Sequence, residues 1–175
     1  MVRRDTPRWL TTTVVHADAR EIAHLKRDVE DRVYARYGTP CEHSRSLSDY
    51  ASTQYIKSLL TDQVLIGVRK SGYWCGVVAG HGGGDGKLFI HSLYCRVSGR
   101  GLGRALLGGI VDAFPEARTC CAEVFDRNVA ALGFLQHHGF VLTGASRPSA
   151  SYRGRRLLAV RADRPTVLRS LKRGD

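Results

Sequence analysis

A strand-like segment that runs directly into a glycine-rich loop and then into a helix is the feature that most constrains the fold. The segment KLFIHSLYC is followed by RVSGRGLGRALLGGIVDAF, in which Leu102, Leu106 and Ile110 recur at helical spacing. Such a loop leaves backbone amides unpaired at a helix N-terminus, where the helix dipole also favours negative charge. The pattern predicts a phosphate-binding loop, although a simple turn before a helix also uses glycine.

The segments around this loop predict the rest of the topology. TTTVVHA reads as a first strand, and the following DAREIAHLKRDVEDRVYARYG as a helix that Asp18 and Glu21 begin with a capping box and Gly38 ends. GTPCEHSRSL is expected to be a loop before a second helix at residues 48–60.

The later segments change to the period of strands. QVLIGVRK, YWCGVVAGH and KLFIHSLYC predict three antiparallel strands, because SG and GGGDG between them are turn sequences. TCCAEVF predicts a fifth strand, NVAALGFLQHH a fourth helix, and FVLTGAS with RRLLAVRA a terminal hairpin. We therefore expect an α/β fold with a mixed, mostly antiparallel sheet of about six to seven strands flanked by four helices.

Length and composition indicate one globular unit. The 175 residues are 43% hydrophobic and 25% charged, which predicts a single domain over residues 1–175. No apolar run is long enough to span a membrane and the N-terminus lacks a signal-peptide core, so we expect a cytoplasmic protein without membrane association. The five cysteines lack CxxC spacing and are expected to be buried free thiols.

The chain is strongly basic, with a formal net charge of +11. Residues 144–175 hold nine basic and two acidic residues, and the stretch at about 165–175 is predicted to be a basic tail. Such a surface attracts polyanions, although a basic face can also serve solubility alone.

Two sequence blocks resemble a known family. SLYCRVSGRGLGRALL is similar to the pyrophosphate loop of the GCN5-related N-acetyltransferase superfamily, and AEVFDRNVAALGFLQHHGF resembles the second block of that superfamily. The resemblance covers residues 88–140 and agrees with the predicted order of elements. It implies an N-acyltransferase that takes an acyl group, most simply acetyl, from acetyl-CoA or another acyl-CoA and transfers it to a small-molecule or peptide amine.

The resemblance also implies how the cofactor binds. The pantetheine would lie in a V-shaped gap between strands 4 and 5, where the backbone groups of Leu93 and Cys95 would face it. Asn128 would contact the cofactor arm. The phosphates would rest on the loop at residues 98–104, which consists of Ser98, Gly99, Arg100, Gly101, Leu102, Gly103 and Arg104.

The sequence departs from the family pattern at two positions. Ser98 stands where the loop normally has Gln or Arg, and Leu135 stands where a tyrosine often protonates the leaving thiolate. The fourth strand has no carboxylate, so His91 becomes the candidate general base, because a histidine can accept a proton near neutral pH. The alternative is a strand histidine bonded to its neighbours; Glu123 and Asp126 are further candidates.

Other residues are candidates for the acceptor side or for metal binding. Tyr34 and Tyr37, with the loop that follows them, would line the acceptor side, or else serve packing. The adjacent pair His137 and His138 cannot chelate from one helix face, and Cys41 with His43 lacks zinc spacing, so no metal is expected.

Two alternative functions remain open at this point. In an aminoacyltransferase of the same fold, a charged tRNA would donate the acyl group, and Arg153, Arg155 and Arg156 would contact it. Under the second alternative, the chain is a non-catalytic RNA-binding or regulatory module, although it lacks an aromatic stacking motif. The sequence does not indicate the oligomeric state or the acceptor.

Overall fold

Residues 9–35 and 37–173 are described by the structure, a computed structural model. Seven strands and six helices follow one another in these residues, with one 3₁₀ turn at His16–Asp18. In chain order they are β1 (Thr11–Thr13), α1 (Ala19–Tyr34), α2 (Pro40–Tyr50), α3 (Thr53–Asp62), β2 (Val64–Lys70), β3 (Tyr73–Gly83), β4 (Lys87–Cys95), α4 (Leu102–Asp112), β5 (Thr119–Phe125), α5 (Val129–His137), β6 (Val141–Pro148), β7 (Arg156–Asp163) and α6 (Arg164–Lys172).

The seven strands form one sheet in the order β1-β2-β3-β4-β5-β7-β6. All neighbouring strands are antiparallel except β4 and β5, which are parallel. The helical crossover through α4 is what a parallel pair requires, because its strands cannot be joined by a tight turn. The predicted mixed, mostly antiparallel sheet is confirmed.

The parallel pair separates part of the way along β4. Pairing runs from Lys87 with Thr119 to Ile90 with Ala122 and then ends. Beyond Ile90, β4 stays paired with β3 on one edge only, while β5 continues to pair with β7. The sheet therefore opens into a gap between β4 and β5, as the family resemblance implied.

A β-bulge lies at the point where the strands part. Gly80 of β3 pairs with Ile90 and Ala79 pairs with Ser92, so His91 is an extra residue without a partner on β3. A bulge of one residue reverses the alternation of side chains along the strand. Ile90 and then Leu93 and Cys95 pack on the same core cluster, whereas Tyr94 packs on the cluster across the sheet.

The two faces of the sheet carry separate apolar clusters. On one face, α1 and α3 cover residues such as Leu65 and Val77, with Ile22 and Leu25 of α1 completely buried. On the other face, α4, α5 and α6 cover the larger cluster, which includes Leu106 and Ile110. The helices thus form a layer on each side of the sheet, and the open gap lies between two firmly packed faces.

The first predicted loop is wrong, because residues 40–50 form helix α2. Thr39 and Glu42 make a reciprocal capping box, in which the Thr39 side chain accepts a hydrogen bond from the Glu42 amide, and Pro40 occupies the first helical turn. The predicted helix at residues 48–60 is divided at Ser52, which caps α3.

Two further predictions differ from the structure. The Asp18 carboxylate does not cap α1 together with Glu21; instead it accepts a hydrogen bond from the Val15 amide and pairs with Arg69. The stretch predicted as a basic tail is helical over most of its length, as α6, and Val167 is completely buried in the core. With α2 and α6, the described residues contain two more helices than predicted. None of these helices is long and apolar enough to cross a membrane.

Candidate active site

A cavity of about 840 Å³ occupies the gap between β4 and β5. Its size is that of a site for a large organic ligand. One end is lined by the glycine loop, at residues 98–99 and 101–104, and the other end by α1, α2 and the segment between β6 and β7. The middle is formed by the separated ends of β4 and β5.

The glycine-loop end presents backbone amides. Gly99 and Gly101 have φ angles of +72° and +74°, which favour glycine, and Gly101 caps α4 without any side-chain hydrogen bond. The first amides of α4 therefore lack an intrahelical partner, and the dipole of the helix adds positive potential. This end of the cavity can bind an anion.

The predicted loop residues do not all act alike. Ser98, Gly99, Gly101 and Gly103 line the cavity, while the exposed Arg100 lies outside its lining and accepts a hydrogen bond from Trp9 through its carbonyl, at 2.6 Å. Leu102 is buried in the core, so only its backbone can face a ligand.

Arg104 and Gly103 hold α4 in place. The Arg104 guanidinium lines the cavity and donates a hydrogen bond to the Leu171 carbonyl of α6. A Cβ atom on Gly103 would lie 3.2 Å from the Phe134 ring, so this glycine allows α5 to approach α4 closely.

The edge of β4 beyond the bulge offers backbone groups to the gap. Leu93 and Cys95 both line the cavity, and neither residue pairs with β5. Burial raises the pKa of the Cys95 thiol to about 12, so this side chain is an uncharged part of the cavity lining at pH 7. The geometry is the one in which an extended amide chain could pair with a strand.

His91 lines the cavity at the bulge. Its Nε2 lies 2.6 Å from His81 Nδ1, and the two rings are stacked. The pKa of His91 is lowered mainly because the ring loses contact with solvent, and to a smaller extent because a charge on His91 would be repelled by one on His81. The ring is thus largely neutral at pH 7, and one of its nitrogens is bonded to a neighbour, as the alternative interpretation of this histidine proposed.

Two other base candidates are engaged elsewhere or lie outside the cavity. Glu123 lines the cavity but forms a two-point ion pair with Arg147, at 2.6 and 2.8 Å. Asp126 is not among the lining residues, and its Oδ1 is buried without a hydrogen-bond partner in the described part of the chain.

Asn128 and Tyr34 connect α5 with α1 at the wall of the cavity. The Asn128 side chain caps α5 by accepting from the Ala131 amide, and its Nδ2 donates to the Tyr34 hydroxyl at 3.2 Å. Tyr37 lies behind this wall, 4% exposed, with its ring against Tyr34, Phe125 and Tyr152. Of the two tyrosines predicted for the acceptor side, only Tyr34 lines the cavity.

A buried charged cluster that the sequence interpretation missed lines the same wall. The Tyr94 hydroxyl donates to Glu30 Oε1 at 2.8 Å, and Lys26 Nζ lies 3.7 Å from the same oxygen. Burial raises the pKa of Glu30 and lowers the pKa of Lys26 to about 8. A signal was present, since Lys26, Glu30 and Tyr34 recur every four residues along one face of α1.

The three arginines predicted to contact tRNA are partly used within the fold. Arg155 Nε donates to the Tyr37 carbonyl at 3.0 Å, and Arg156 donates to the Ser146 hydroxyl and carbonyl. Arg153 is exposed, and its amide donates to Glu42. Two of the three guanidinium groups therefore stabilise the fold rather than forming a free basic patch.

The cysteines and histidines give no metal centre. Among the residues that the structure describes, no group of three or more His, Cys, Asp or Glu side chains could hold a metal ion. All five cysteines are free; Cys120 is buried, Cys41 is exposed, and the other three are intermediate. The expectation of buried thiols is therefore wrong for Cys41.

The fold and the cavity define the class to which this architecture belongs. The central sheet, with its single parallel pair opening beside a glycine loop, is the GCN5-related N-acetyltransferase fold. A search of protein-family models gives no match, and a search of curated proteins gives none either. The likeness therefore rests on solved structures.

Three of the similar structures show how far the likeness extends. PaiA N-acetyltransferase from Thermoplasma acidophilum, in complex with coenzyme A, has a TM-score of 0.77 and 12% identity, covering 90% of this chain and 99% of its own. YncA from Salmonella typhimurium, with its cofactor acetyl-CoA, has a TM-score of 0.63 and 17% identity over 90% and 94%. The ribosomal-protein-S18-alanine N-acetyltransferase from Escherichia coli has a TM-score of 0.65 and 18% identity over 89% and 94%.

Proposed function

We propose that this protein transfers an acyl group, most simply acetyl, from an acyl-CoA to an amine of a small molecule or peptide. The observation that carries the proposal is the gap between β4 and β5, which joins the bare N-terminus of α4 to a polar, aromatic wall within one cavity. Similar structures contain coenzyme A or acetyl-CoA, and the residues here fit the same kind of donor.

The fit is chemical as well as topological. Ser98, Gly99 and Gly101, with the first amides of α4, would hold the phosphates, and the backbone of Leu93 and Cys95 would pair with the pantetheine amides. An acyl-CoA supplies a thioester carbonyl for the amine to attack and a thiolate that can leave. Asn128 supports this site indirectly, because its amide holds α1 against α5.

The amine nitrogen must lose two protons when an ammonium becomes an amide. His91 is the proposed base for the proton lost after attack, because it lines the cavity at the bulge and its lowered pKa keeps the ring neutral at pH 7. Leu135, 7% exposed, has no proton to give, so this second proton can pass to the thiolate through His91 or water.

The first test is calorimetric titration with acetyl-CoA at about 0.15 M salt, which screens non-specific phosphate attraction. We expect saturable binding that Ser98→Glu abolishes, because the new carboxylate would face the phosphates. Ser58→Glu adds the same charge on an exposed part of α3 and should bind as the wild type does.

Thiol release from acetyl-CoA in the presence of a panel of amines then tests the transfer itself. The proposal is contradicted if the wild-type protein binds no acetyl-CoA. It is also contradicted if the protein binds acetyl-CoA but no amine in the panel causes release of the CoA thiol. Binding that survives Ser98→Glu would instead contradict the assigned position of the phosphates.

A further inference from the structure

A chain of hydrogen bonds connects the acceptor end of the cavity with the protein surface. Tyr152, in the segment between β6 and β7, lines the cavity, and its hydroxyl lies 2.9 Å from His43 Nδ1 of α2. On the other side of the ring, His43 Nε2 lies 2.8 Å from Asp31 Oδ1 of α1. Both ring nitrogens of a buried histidine are thus occupied, one toward the cavity and one toward solvent.

The donors in this chain all point the same way. An ionised Asp31 only accepts, so Nε2 of His43 carries the proton. In the neutral ring Nδ1 then has a free lone pair and accepts from the Tyr152 hydroxyl. Burial raises the pKa of the Tyr152 phenol, and a hydrogen bond with the Ser46 side chain opposes this rise.

Burial separates the two ends of the chain. Tyr152 is 2% exposed and His43 is 8% exposed, whereas the Asp31 side chain is 54% exposed and faces a second, outer depression with Asp28 and Arg32. A proton that enters at Tyr152 can therefore leave at Asp31 without crossing apolar packing.

Charged side chains surround the imidazole of His43 on three sides. Asp31 and Glu30 face it from α1, Glu42 lies beside it on α2, and Arg153 follows Tyr152 in the segment between β6 and β7. Lys26, 3.7 Å from Glu30 Oε1, is a second cation in this environment, so three carboxyl groups lie near two cations. An imidazolium next to the Asp31 carboxylate is stabilised by a charge-assisted hydrogen bond.

We propose that Tyr152, His43 and Asp31 form a proton relay that takes the first proton from the acceptor ammonium and delivers it to solvent. This inference rests on the proposed acyl transfer to an amine. The ammonium proton passes to the Tyr152 oxygen while Tyr152 gives its own proton to His43 Nδ1. His43 then releases its Nε2 proton through Asp31 to water, which leaves the ring protonated at Nδ1. After the product leaves, Nε2 takes a proton from water through Asp31 and Nδ1 gives its proton back through Tyr152 to water in the emptied cavity. The resting tautomer is thus restored, and each turnover releases the single proton that acylation of an ammonium requires.

The relay assigns a substrate property as well as a residue role. The acceptor enters as a protonated amine, with a pKa above the working pH, because a neutral acceptor such as an aromatic amine would need no such exit. The substrate class is therefore an aliphatic primary or secondary amine.

The kinetic test uses Tyr152→Phe, which keeps the ring contacts with Tyr37 and Phe125 and removes only the hydroxyl. At pH 7 we expect kcat with an aliphatic amine to fall by about a hundredfold, the scale of general acid–base catalysis, with KM for acetyl-CoA unchanged. The loss should shrink as the pH approaches the pKa of the amine, because the free amine needs no relay. Asp49→Asn, an exposed carboxylate on the same helix as His43, is the matched control and should retain wild-type kcat.

A loss of kcat that stays constant with pH would overturn the relay, because a purely structural role of the hydroxyl affects every pH equally. The second measurement needs no turnover: the ¹⁵N spectrum of the His43 imidazole, assigned through a His43→Gln variant. We expect the tautomer protonated at Nε2, with a spectrum that changes in Tyr152→Phe. A ring protonated at Nδ1 in the neutral state would overturn the relay even in an active enzyme.

The two proposals fail in different ways. If the wild type transfers no acyl group but His43 shows the expected tautomer and responds to Tyr152→Phe, the hydrogen-bond chain stands and the acyl transfer is refuted. If transfer occurs and the tautomer or the pH profile is wrong, the acyl transfer stands and the relay is refuted.

Discussion

Replacing Gly99 with alanine separates the binding role of the glycine loop from its backbone conformation, provided that Gly72 is replaced in parallel. Gly99 lies in the glycine loop and Gly72 in the turn between β2 and β3, with φ angles of +72° and +83°. A Cβ atom at either position meets nothing within 4 Å. Both substitutions therefore impose the same kind of conformational strain and no clash within the protein.

The expected stability loss follows from the cost of a left-handed backbone for a residue with a side chain, about 1–2 kcal/mol. For a domain of this size that corresponds to a fall in Tm of about 2–8 °C, and it should be similar in Gly99→Ala and Gly72→Ala. Acetyl-CoA affinity should differ between them, because only the Cβ at Gly99 projects at the phosphate end of the cavity. We expect about a tenfold rise in Kd for Gly99→Ala, equivalent to about 1.4 kcal/mol.

Thermal unfolding without ligand and calorimetric titration with acetyl-CoA measure the two quantities separately. Equal affinities in the two variants would refute the argument that the loop backbone holds the donor. A large affinity loss in Gly72→Ala would refute it too, because that residue lies outside the cavity lining.

Three further predictions concern stability and reactivity. With a thiol reagent at pH 8, the exposed Cys41 should react first and Cys120 only on unfolding, because Cys120 is buried and burial raises its pKa to about 11. Early products in which mass spectrometry finds Cys120 labelled would contradict this. The pKa of Lys26 is lowered to about 8 from an ordinary 10.5, so between these pH values the unfolded chain binds more protons than the folded chain. The free energy of unfolding of the wild type, measured with denaturant, should therefore rise relative to that of Lys26→Met as the pH increases from 8 to 10.5. Arg155→Glu should lower the Tm and Arg153→Glu should not, because only the Arg155 guanidinium bonds the Tyr37 carbonyl; equal Tm values would show that this bond contributes nothing.

The elements that could be predicted from sequence are those whose signals are local. TCCAEVF forms β5 with the predicted bounds, because its period and flanking turns are independent of the rest of the chain. Helix α2 has an equally local start signal in Thr39, Pro40 and Glu42, although the sequence analysis predicts a loop there. The failed Asp18 cap has a different origin: Arg69, 51 residues away, binds that carboxylate.

The candidate site likewise has a part with a local sequence signal and a part that depends on contacts between distant segments. The glycine loop is contiguous, and its position at a helix N-terminus could be predicted from residues 98–104. The acceptor wall is assembled from distant segments: Tyr94 reaches Glu30 across 64 positions, and Tyr152 reaches His43 across 109. Such pairs leave no spacing in one sequence, so the relay and the charged cluster appear only when the chain is folded.

The gap in the sheet also leaves few backbone pairs between the two groups of strands. Strands β1–β4 all precede α4 in the chain and β5–β7 all follow it, while the two groups are joined in the sheet by only four residue pairs, from Lys87 with Thr119 to Ile90 with Ala122. The polypeptide passes from one group to the other once, through α4 and residues 113–118. We expect a cut in that connection to give two fragments, each with its own run of antiparallel strands. Because both fragments contribute to the larger apolar cluster, their reassembly would rebuild the cavity at their junction. The seam beside the candidate cavity is thus a natural place to make a split-protein sensor, whose halves an acyl-CoA bound as proposed above would hold together.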